Sequence, residues 1–266
     1  MALWIVATPI GTLADLSPRG REVLQSADVI VAEDTRHTRK LLSAVGVGAP
    51  ELKALHAHNE AERAEAFARR AAQEQVALVC DAGTPGVSDP GRLLVSACLQ
   101  AGVEIRSVPG PSALAAALAA SGLPAAPSTF LGFPPRKGLA AFIADAATRP
   151  ETVVFYEAPG RVLKLLRSWA EVAPHREAVV CRELSKRFEQ VLRGPLPGLV
   201  AQVEATEIRG ECVVLIGPGE AVAPAAVERT GESTGEVATA LAARWGVKKR
   251  DVYQGLLALE RDLKGE

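Results

Sequence analysis

Five short apolar runs alternate with helical patterns over the first 108 residues, and no other feature of the chain restricts its fold as much. Residues 3–7, 29–32, 53–56, 76–80 and 103–108 read as strands. Residues 18–25, 36–45, 60–73 and 93–101 between them read as helices. Ser17-Pro18 is a helix start, because Ser can cap free amides and Pro suits the first turn. Gly46 and Gly102 follow the ends of the second and fourth helical patterns. Strands joined through helices run parallel, and a parallel sheet is covered on both faces. Right-handed crossovers then gather the loops that follow the strands at one edge, where ligands bind.

The unusual residues fall in those loops. They are TPIG at 8–11, EDTRHT at 33–38, DAGTPGVSDPG at 81–91 and PGPS at 109–112. In the third, Gly83, Gly86 and Gly91 let backbone approach a ligand closely, and Pro85 and Pro90 stiffen the turn. Asp81, Thr84, Ser88 and Asp89 supply polar contacts. The chain has neither GxxxxGK[ST] nor GxGxxG at these loops, which disfavours a phosphate loop and a conventional dinucleotide site. EDTRHT sets Glu33, Asp34, Arg36 and His37 at one strand end. Such a set can bind a polar substrate or help to deprotonate a hydroxyl. Asp34 or Thr35 can equally cap the following helix, and both roles are compatible.

The second half has a different rhythm. Strands are expected at 130–133, 152–156, 178–181, 188–194 and 212–216, and helices at 113–120, 138–147 and 162–172. The last strands read as antiparallel, so this sheet is mixed. The expected organisation is an α/β chain with an N-terminal parallel-sheet domain at 1–112 and a second, mixed-sheet domain at 113–217. A Gly-, Pro- and Ala-rich linker at 218–235 and a small helical appendage at 236–266 follow. Basic residues cluster at Arg136-Lys137, Arg161 with Lys164, Arg182 with Lys186-Arg187, and Lys248-Lys249-Arg250. Each alone reads as a solvated face. Converging, they would make a rim that contacts phosphates and sets position. Tyr156 and Phe133 beside them could stack on a base, although core packing is the better reading of Phe133.

Thirty basic and 31 acidic residues leave a formal charge of −1, so broad electrostatic attraction to nucleic acid is not expected. Cys80, Cys98, Cys181 and Cys212 form no CxxC pair and read as buried reduced thiols. His56 and His58 lack a partner cluster, so they read as loop residues and no metal is expected. The chain opens on LWIVA without a basic leader, and no apolar run reaches the roughly 20 residues that span a membrane. A cytoplasmic protein is the expectation.

Taken in order, LWIVATPIGTLADLSPRGREVLQSADVIVAEDTRHTRKLL, DAGTPGVSDPG, VPGPSALAAALAASGLP, GFPPRKG, FYEAPGR and RELSKRFEQVLRG resemble the small-subunit ribosomal RNA cytidine 2′-O-methyltransferases of the tetrapyrrole-methylase superfamily. The resemblance covers about residues 1–217, and GVKKRDVY resembles that family's helical tail. It implies two α/β domains with S-adenosylmethionine between them, in a homodimer that acts on small-subunit RNA. It implies that Pro9, Asp81, Gly83, Thr84, Pro85 and Ser88 line the cofactor, with Ser112, Ala113, Tyr156, Glu211 and Cys212 nearby. Thr12 stands where the family usually has Asn, and Ala158 and Gly160 replace Ser and His.

Methyl transfer to a ribose hydroxyl needs alignment and removal of a proton. Asp34, Arg36, His37 and Lys186 are the expected catalytic side chains, with Glu33 a further base or orienter. Arg136, Lys137, Arg161 and Arg182 are expected to hold RNA phosphates. Competing readings are a methylase of a tetrapyrrole or other small molecule, and a non-catalytic RNA-binding factor. A nicotinamide dehydrogenase is disfavoured by the missing fingerprint.

Overall fold

A computed structural model describes residues 1–48, 50–219, 233–245 and 248–264. Two compact units emerge, Met1–Ala221 and Val222–Glu266.

The first unit holds two five-stranded sheets. Strands β1 (Ala2–Val6), β2 (Val29–Ala32), β3 (Glu51–Ala54), β4 (Gln75–Val79) and β5 (Glu104–Val108) pair in the order β3-β2-β4-β1-β5. Every pairing is parallel, as the alternating pattern required. Helices α1 (Pro18–Ser26) and α2 (Thr35–Ala44) cover one face, where Val23, Leu24 and Leu42 join Val6 and Ile30. Helices α3 (Glu60–Ala71) and α4 (Arg92–Gln100) cover the other, where Phe67, Leu94 and Cys98 meet Leu3, Val31 and Leu78. Burial on both faces explains why β2 reads VIVA without polar alternation. Ser17 caps α1 by accepting from the Gly20 amide at 3.0 Å.

The second sheet contains β6 (Ser128–Phe130), β7 (Thr152–Glu157), β8 (Glu177–Arg182), β9 (Gln190–Pro195) and β10 (Cys212–Ile216), in the order β6-β7-β10-β8-β9. Only β6 with β7 is parallel, so the sheet is mixed. Helix α5 (Ala113–Ser121) packs on one face. Helices α6 (Leu139–Ala147), α7 (Pro159–Val172) and α8 (Leu196–Glu204) pack on the other around Phe155 and Trp169.

Several details depart from the sequence reading, among them α7, which starts three residues earlier, and β9, which starts two residues later. Strand β3 lies two residues earlier, because the His56 amide donates to Asn59 Oδ1 at 2.8 Å instead of extending the ladder. Strand β6 ends at Phe130, and Gly132 turns out of the extended region at φ 65°. Helix α8 was not anticipated: its LPG start resembles a turn, yet Leu196, Leu199 and Val203 share a buried face.

In the second unit, α9 (Thr234–Trp245) and α10 (Lys249–Lys264) are helical, as expected of the appendage. A reciprocal cap opens α9: Glu236 accepts from the Ser233 amide at 2.6 Å and donates its own amide to Ser233 Oγ at 3.3 Å. The expected linker falls mostly on 220–232, outside the described residues.

Candidate active site

Strands β1 and β4 are neighbours whose onward connections leave in opposite directions, to β2 and to β5. A crevice opens at such a switch point, beyond the carboxyl ends of the strands. The loops that follow β1 and β4 are fastened together there. Thr8 and Gly83 exchange backbone hydrogen bonds of 2.8 and 3.0 Å, and the buried Thr8 hydroxyl donates to the Cys80 carbonyl at 3.1 Å. The 81–91 loop then turns through left-handed backbone at Gly83, Gly86 and Ser88. Its far end is held by buried Glu60, whose Oε1 accepts from the amides of Gly91 and Leu93 at 2.9 and 2.8 Å. Gly91, at φ 137°, has no room for a Cβ, which would lie 2.7 Å from Leu78.

This loop forms one wall of a cavity of about 300 Å³. Ser112 and Ala113 at the start of α5, Tyr156 at the end of β7 and Cys212-Val213 of β10 supply other walls. The Tyr156 hydroxyl accepts from the Leu114 amide at 3.2 Å, tying β7 to the start of α5. Glu33, Asp81, Asp89 and Glu211 all line this space, and among the described residues no Lys, Arg or His lines it with them. Burial, with the charge of Glu33 beside it, pushes Asp89 up to about 6. Glu33 is also raised, by burial and then by Asp81. Glu33 and Asp89 therefore crowd one another, whereas Glu211 is paired with Lys186 at 2.8 Å.

A second cavity, of about 370 Å³, shares Ile10, Asp81, Ala82 and Glu211 with the first. Its remaining walls are the 9–13 loop and one face of α2, and three basic residues line it: His37, Lys40 and Lys186. Asp34 caps α2, accepting from the Arg36 amide at 2.8 Å. The Arg36 guanidinium closes on the same carboxylate at 3.1 and 2.7 Å, and these bonds hold Asp34 far below the usual carboxylate range. His37 Nδ1 lies 3.9 Å from Asp81 Oδ2, and the Asp34 amide donates to Asp81 Oδ1 at 3.2 Å. Lys186 Nζ lies 3.0 Å from Glu183 and 2.8 Å from Glu211. Burial opposes its charge, but those two carboxylates outweigh burial and hold the amine above its ordinary value.

Loops from the two sheets meet beside this second cavity. The Thr12 hydroxyl donates to the Ser185 carbonyl at 2.7 Å, and Ser185 Oγ donates to Asp15 at 2.5 Å. At Gly11 a Cβ would stand 2.6 Å from the Ser185 carbonyl, so only glycine permits the approach. Glu183 and Ser185 both have positive φ, of 52° and 63°. Hydrogen bonds between Glu183 and Glu211, in both directions, hold that turn in place.

Residues 2–200 match the family model described as Tetrapyrrole (Corrin/Porphyrin) Methylases. The chain is 50% identical over 220 residues to a protein of Xylella fastidiosa (strain Temecula1) named "Ribosomal RNA small subunit methyltransferase I", covering 80% of each chain. It is 38% identical to a protein of the same name from Synechocystis, covering 98% of this chain and 99% of that one. The chain belongs to the tetrapyrrole methylase family, in its small-subunit methyltransferase I branch. The fold agrees. A uroporphyrin-III C-methyltransferase from Thermus thermophilus, solved with S-adenyl homocysteine, superposes with a TM-score of 0.57 at 18% identity, over 82% of this chain and 97% of that one.

In this tetrapyrrole methylase the residues singled out from sequence divide by location. Asp81, Gly83, Thr84 and Ser88 line the first cavity, as do Ser112, Ala113, Tyr156, Glu211 and Cys212. Pro9, His37 and Lys186 line the second, with Asp81 and Glu211 again. Pro85, Asp34 and Arg36 line neither, and Pro85 is buried in the loop. The four expected phosphate contacts also separate. Arg136 and Lys137 are exposed. Arg161 donates to the carbonyls of Pro134 and Pro135 at 3.0 and 3.2 Å and lies 3.3 Å from Glu157, so it shapes the 134–135 turn. Arg182 donates to Gln190 at 2.7 Å and to the Arg209 carbonyl at 3.4 Å. Sequence reasoning missed Glu60, Lys40 and Ile10 as parts of the site. Glu60 carried a weak signal, a carboxylate at the first position of a helix that precedes the strand before a glycine-rich loop. Phe133 lines the first cavity and is exposed, contrary to the core reading. Its ring meets Tyr156 edge-on at 5.7 Å. All four cysteines are free and buried. Among the described residues no helix is long and apolar enough to cross a membrane.

Proposed function

We propose that this methyltransferase moves the methyl group of S-adenosylmethionine to a cytidine ribose 2′-hydroxyl in small-subunit ribosomal RNA. The observation that carries the reading is the pair of adjoining cavities, one lined by four carboxylates and the other setting His37, Lys40 and Lys186 beside two of them. A lining with four carboxylates and no basic side chain of its own among the described residues suits a cationic ligand and would repel a nucleotide's phosphates. The neighbouring space sets three basic residues beside Asp81 and Glu211 and suits an anionic group better than the first does. The names of the relatives at 38–50% identity support the RNA acceptor.

Asp81, Gly83, Thr84, Ser88, Ser112, Ala113 and Tyr156 would hold the cofactor, with Glu211 and Cys212 opposite. Bound there, it supplies an electrophilic methyl group on a positively charged sulfur. The protein's part is alignment and removal of the hydroxyl proton. His37 faces the second cavity and is 3.9 Å from Asp81, so it can accept that proton while Asp81 steadies the imidazolium. Asp34 is a poor base, since Arg36 holds its carboxylate ionised. Asp34 and Arg36 would act from the rim, by fixing the start of α2. Lys186 stays protonated and acts as a cation beside the acceptor. Arg136 and Lys137 contact RNA phosphates, and Arg161 and Arg182 support the loops around them. A homodimer in the cytoplasm belongs to the same proposal.

The test is single-turnover methylation of small ribosomal subunits, with mass mapping of the modified ribose. His37→Ala should slow the reaction by about 10²–10⁴-fold. Full activity in both His37→Ala and Arg36→Ala would remove this loop from the mechanism. No methylated ribose with the wild-type chain would remove the RNA acceptor.

A further inference from the structure

Among the described residues, Lys40 is the one basic group of the second cavity without a role in the proposed methyl transfer. Its companion Lys186 is paired with two carboxylates, and Arg36 at the rim is closed on Asp34. Lys40 is exposed and has no hydrogen-bond or ion-pair partner among the described residues. Its position is regular. His37, Lys40, Leu41 and Ala44 stand at i, i+3, i+4 and i+7 of α2, so they form a single stripe, and all four line the cavity. Leu13, half exposed, faces the same space from the 9–13 loop. The cavity therefore has an apolar slot at Leu13, Leu41 and Ala44, an unneutralised ammonium beside it, and a proton acceptor one turn away.

We propose that this stripe binds one ribonucleotide of the acceptor strand, with Lys40 on its phosphate. The proposal rests on the RNA-methylation reading above and deepens it. The base lies in the Leu13–Leu41–Ala44 slot and the ribose lies over His37. Side chains three residues apart on a helix have Cβ atoms about 5–6 Å apart. That step suits a ribose hydroxyl at His37 and the adjoining phosphate of the same nucleotide at Lys40. At about 370 Å³ the space is at the lower end of the roughly 300–1,000 Å³ of ligand cavities, which fits a single nucleotide better than a four-ring macrocycle. Asp81 and Ala82, common to both cavities, mark where donor and acceptor would meet.

The experiment measures KM for small subunits across a salt series, with S-adenosylmethionine affinity followed by calorimetry. Wild-type methylation is established first, and its absence would overturn the underlying reading and this proposal with it. Given that activity, Lys40→Ala should raise KM about tenfold with kcat and cofactor affinity unchanged. It should also flatten the dependence of log KM on log salt by about 0.7, the contribution of one single-strand phosphate contact. Lys40→Arg should restore both, and Arg39→Ala, on the same helix but lining neither cavity, should change neither. Ala44→Trp, which fills the slot, should abolish RNA methylation and leave cofactor binding intact. An unchanged KM and salt slope in Lys40→Ala, or full activity in Ala44→Trp, would overturn the nucleotide site while leaving RNA methylation standing.

Discussion

The two cavities are close in size, about 300 and 370 Å³, and share a wall, yet their linings differ in charge. One has Glu33, Asp81, Asp89 and Glu211 with no basic residue among those described, and the other sets His37, Lys40 and Lys186 beside Asp81 and Glu211. Volume does not distinguish the place of a donor from that of an acceptor here; charge does. At a separation of 4 Å and an effective dielectric of 20, two unit charges interact by about 4 kcal/mol, enough to sort a sulfonium from a phosphate. The asymmetry arises from different elements. The acidic residues sit mainly at the ends of β2, β4 and β10 and in the 81–91 loop, whereas His37 and Lys40 come from α2 and Lys186 from the turn after β8.

Asp81 belongs to both cavities, so its removal is the sharpest way to break the comparison. Asp81→Asn should lower single-turnover methylation by about 100-fold or more and weaken the cofactor without weakening RNA. A weaker cofactor with an unchanged rate at saturating cofactor would mean that the shared wall serves only the donor side. Glu60→Ala strips the acceptor from two buried amides at the end of the 81–91 loop. It should cost about 1–3 kcal/mol in denaturant unfolding and weaken the cofactor more than RNA.

Asp89 sharpens the comparison through pH. Its folded value, about 6, stands above the ordinary 3.8, so the folded chain holds a proton that the unfolded chain has lost between those values. The stability it contributes is present in acid and is lost as pH rises through about 6. Asp89→Asn should therefore be more stable than wild type at about pH 8, by no more than about 2 kcal/mol given its partial exposure, and no more stable at about pH 4. Thermal melts at the two pH values check this. Cofactor affinity should move oppositely, rising over the same window as a cationic ligand gains an ionised partner, and Asp89→Asn should flatten that rise. The smallest effect is expected at the junction of the loops. Thr12→Val loses the 2.7 Å bond to Ser185, at a cost of about 0.5–1.5 kcal/mol, and should raise KM for subunits by a few-fold with little change in cofactor affinity.

Much of the frame was legible in the residues. The period of the apolar runs and the glycines after α2 and α4 marked the parallel sheet, because a sheet buried on both faces needs unbroken apolar strands and its helices need stops. The 81–91 loop was legible as a ligand wall for a related reason: Gly83, Gly86 and Gly91 all adopt backbone that other residues rarely do. Roles that depend on a distant partner were not legible. Arg161 and Arg182 looked like members of a basic rim, but a guanidinium has five donors, and here backbone carbonyls and Gln190 lie within its reach. Lys186 looked like a candidate base until Glu183 and Glu211 were found on either side of it. Lys40 passed as ordinary helix surface because nothing in KLL says that the 9–13 loop lies opposite.

By itself the sequence determined the strand and helix rhythm, the loops that follow the strands, and the resemblance carried by DAGTPGVSDPG and EDTRHT in their order. Those are local properties, set by side-chain periodicity and by what glycine and proline allow the backbone to do. Only the tertiary structure decided which residues gather in the two adjoining cavities at that edge, with Asp81 and Glu211 facing both. That outcome depends on the strand order placing β1 beside β4, and on the turn after β8 reaching Gly11 and Thr12. Charges far apart in the chain become one electrostatic surface only when packing brings them within a few ångströms of each other.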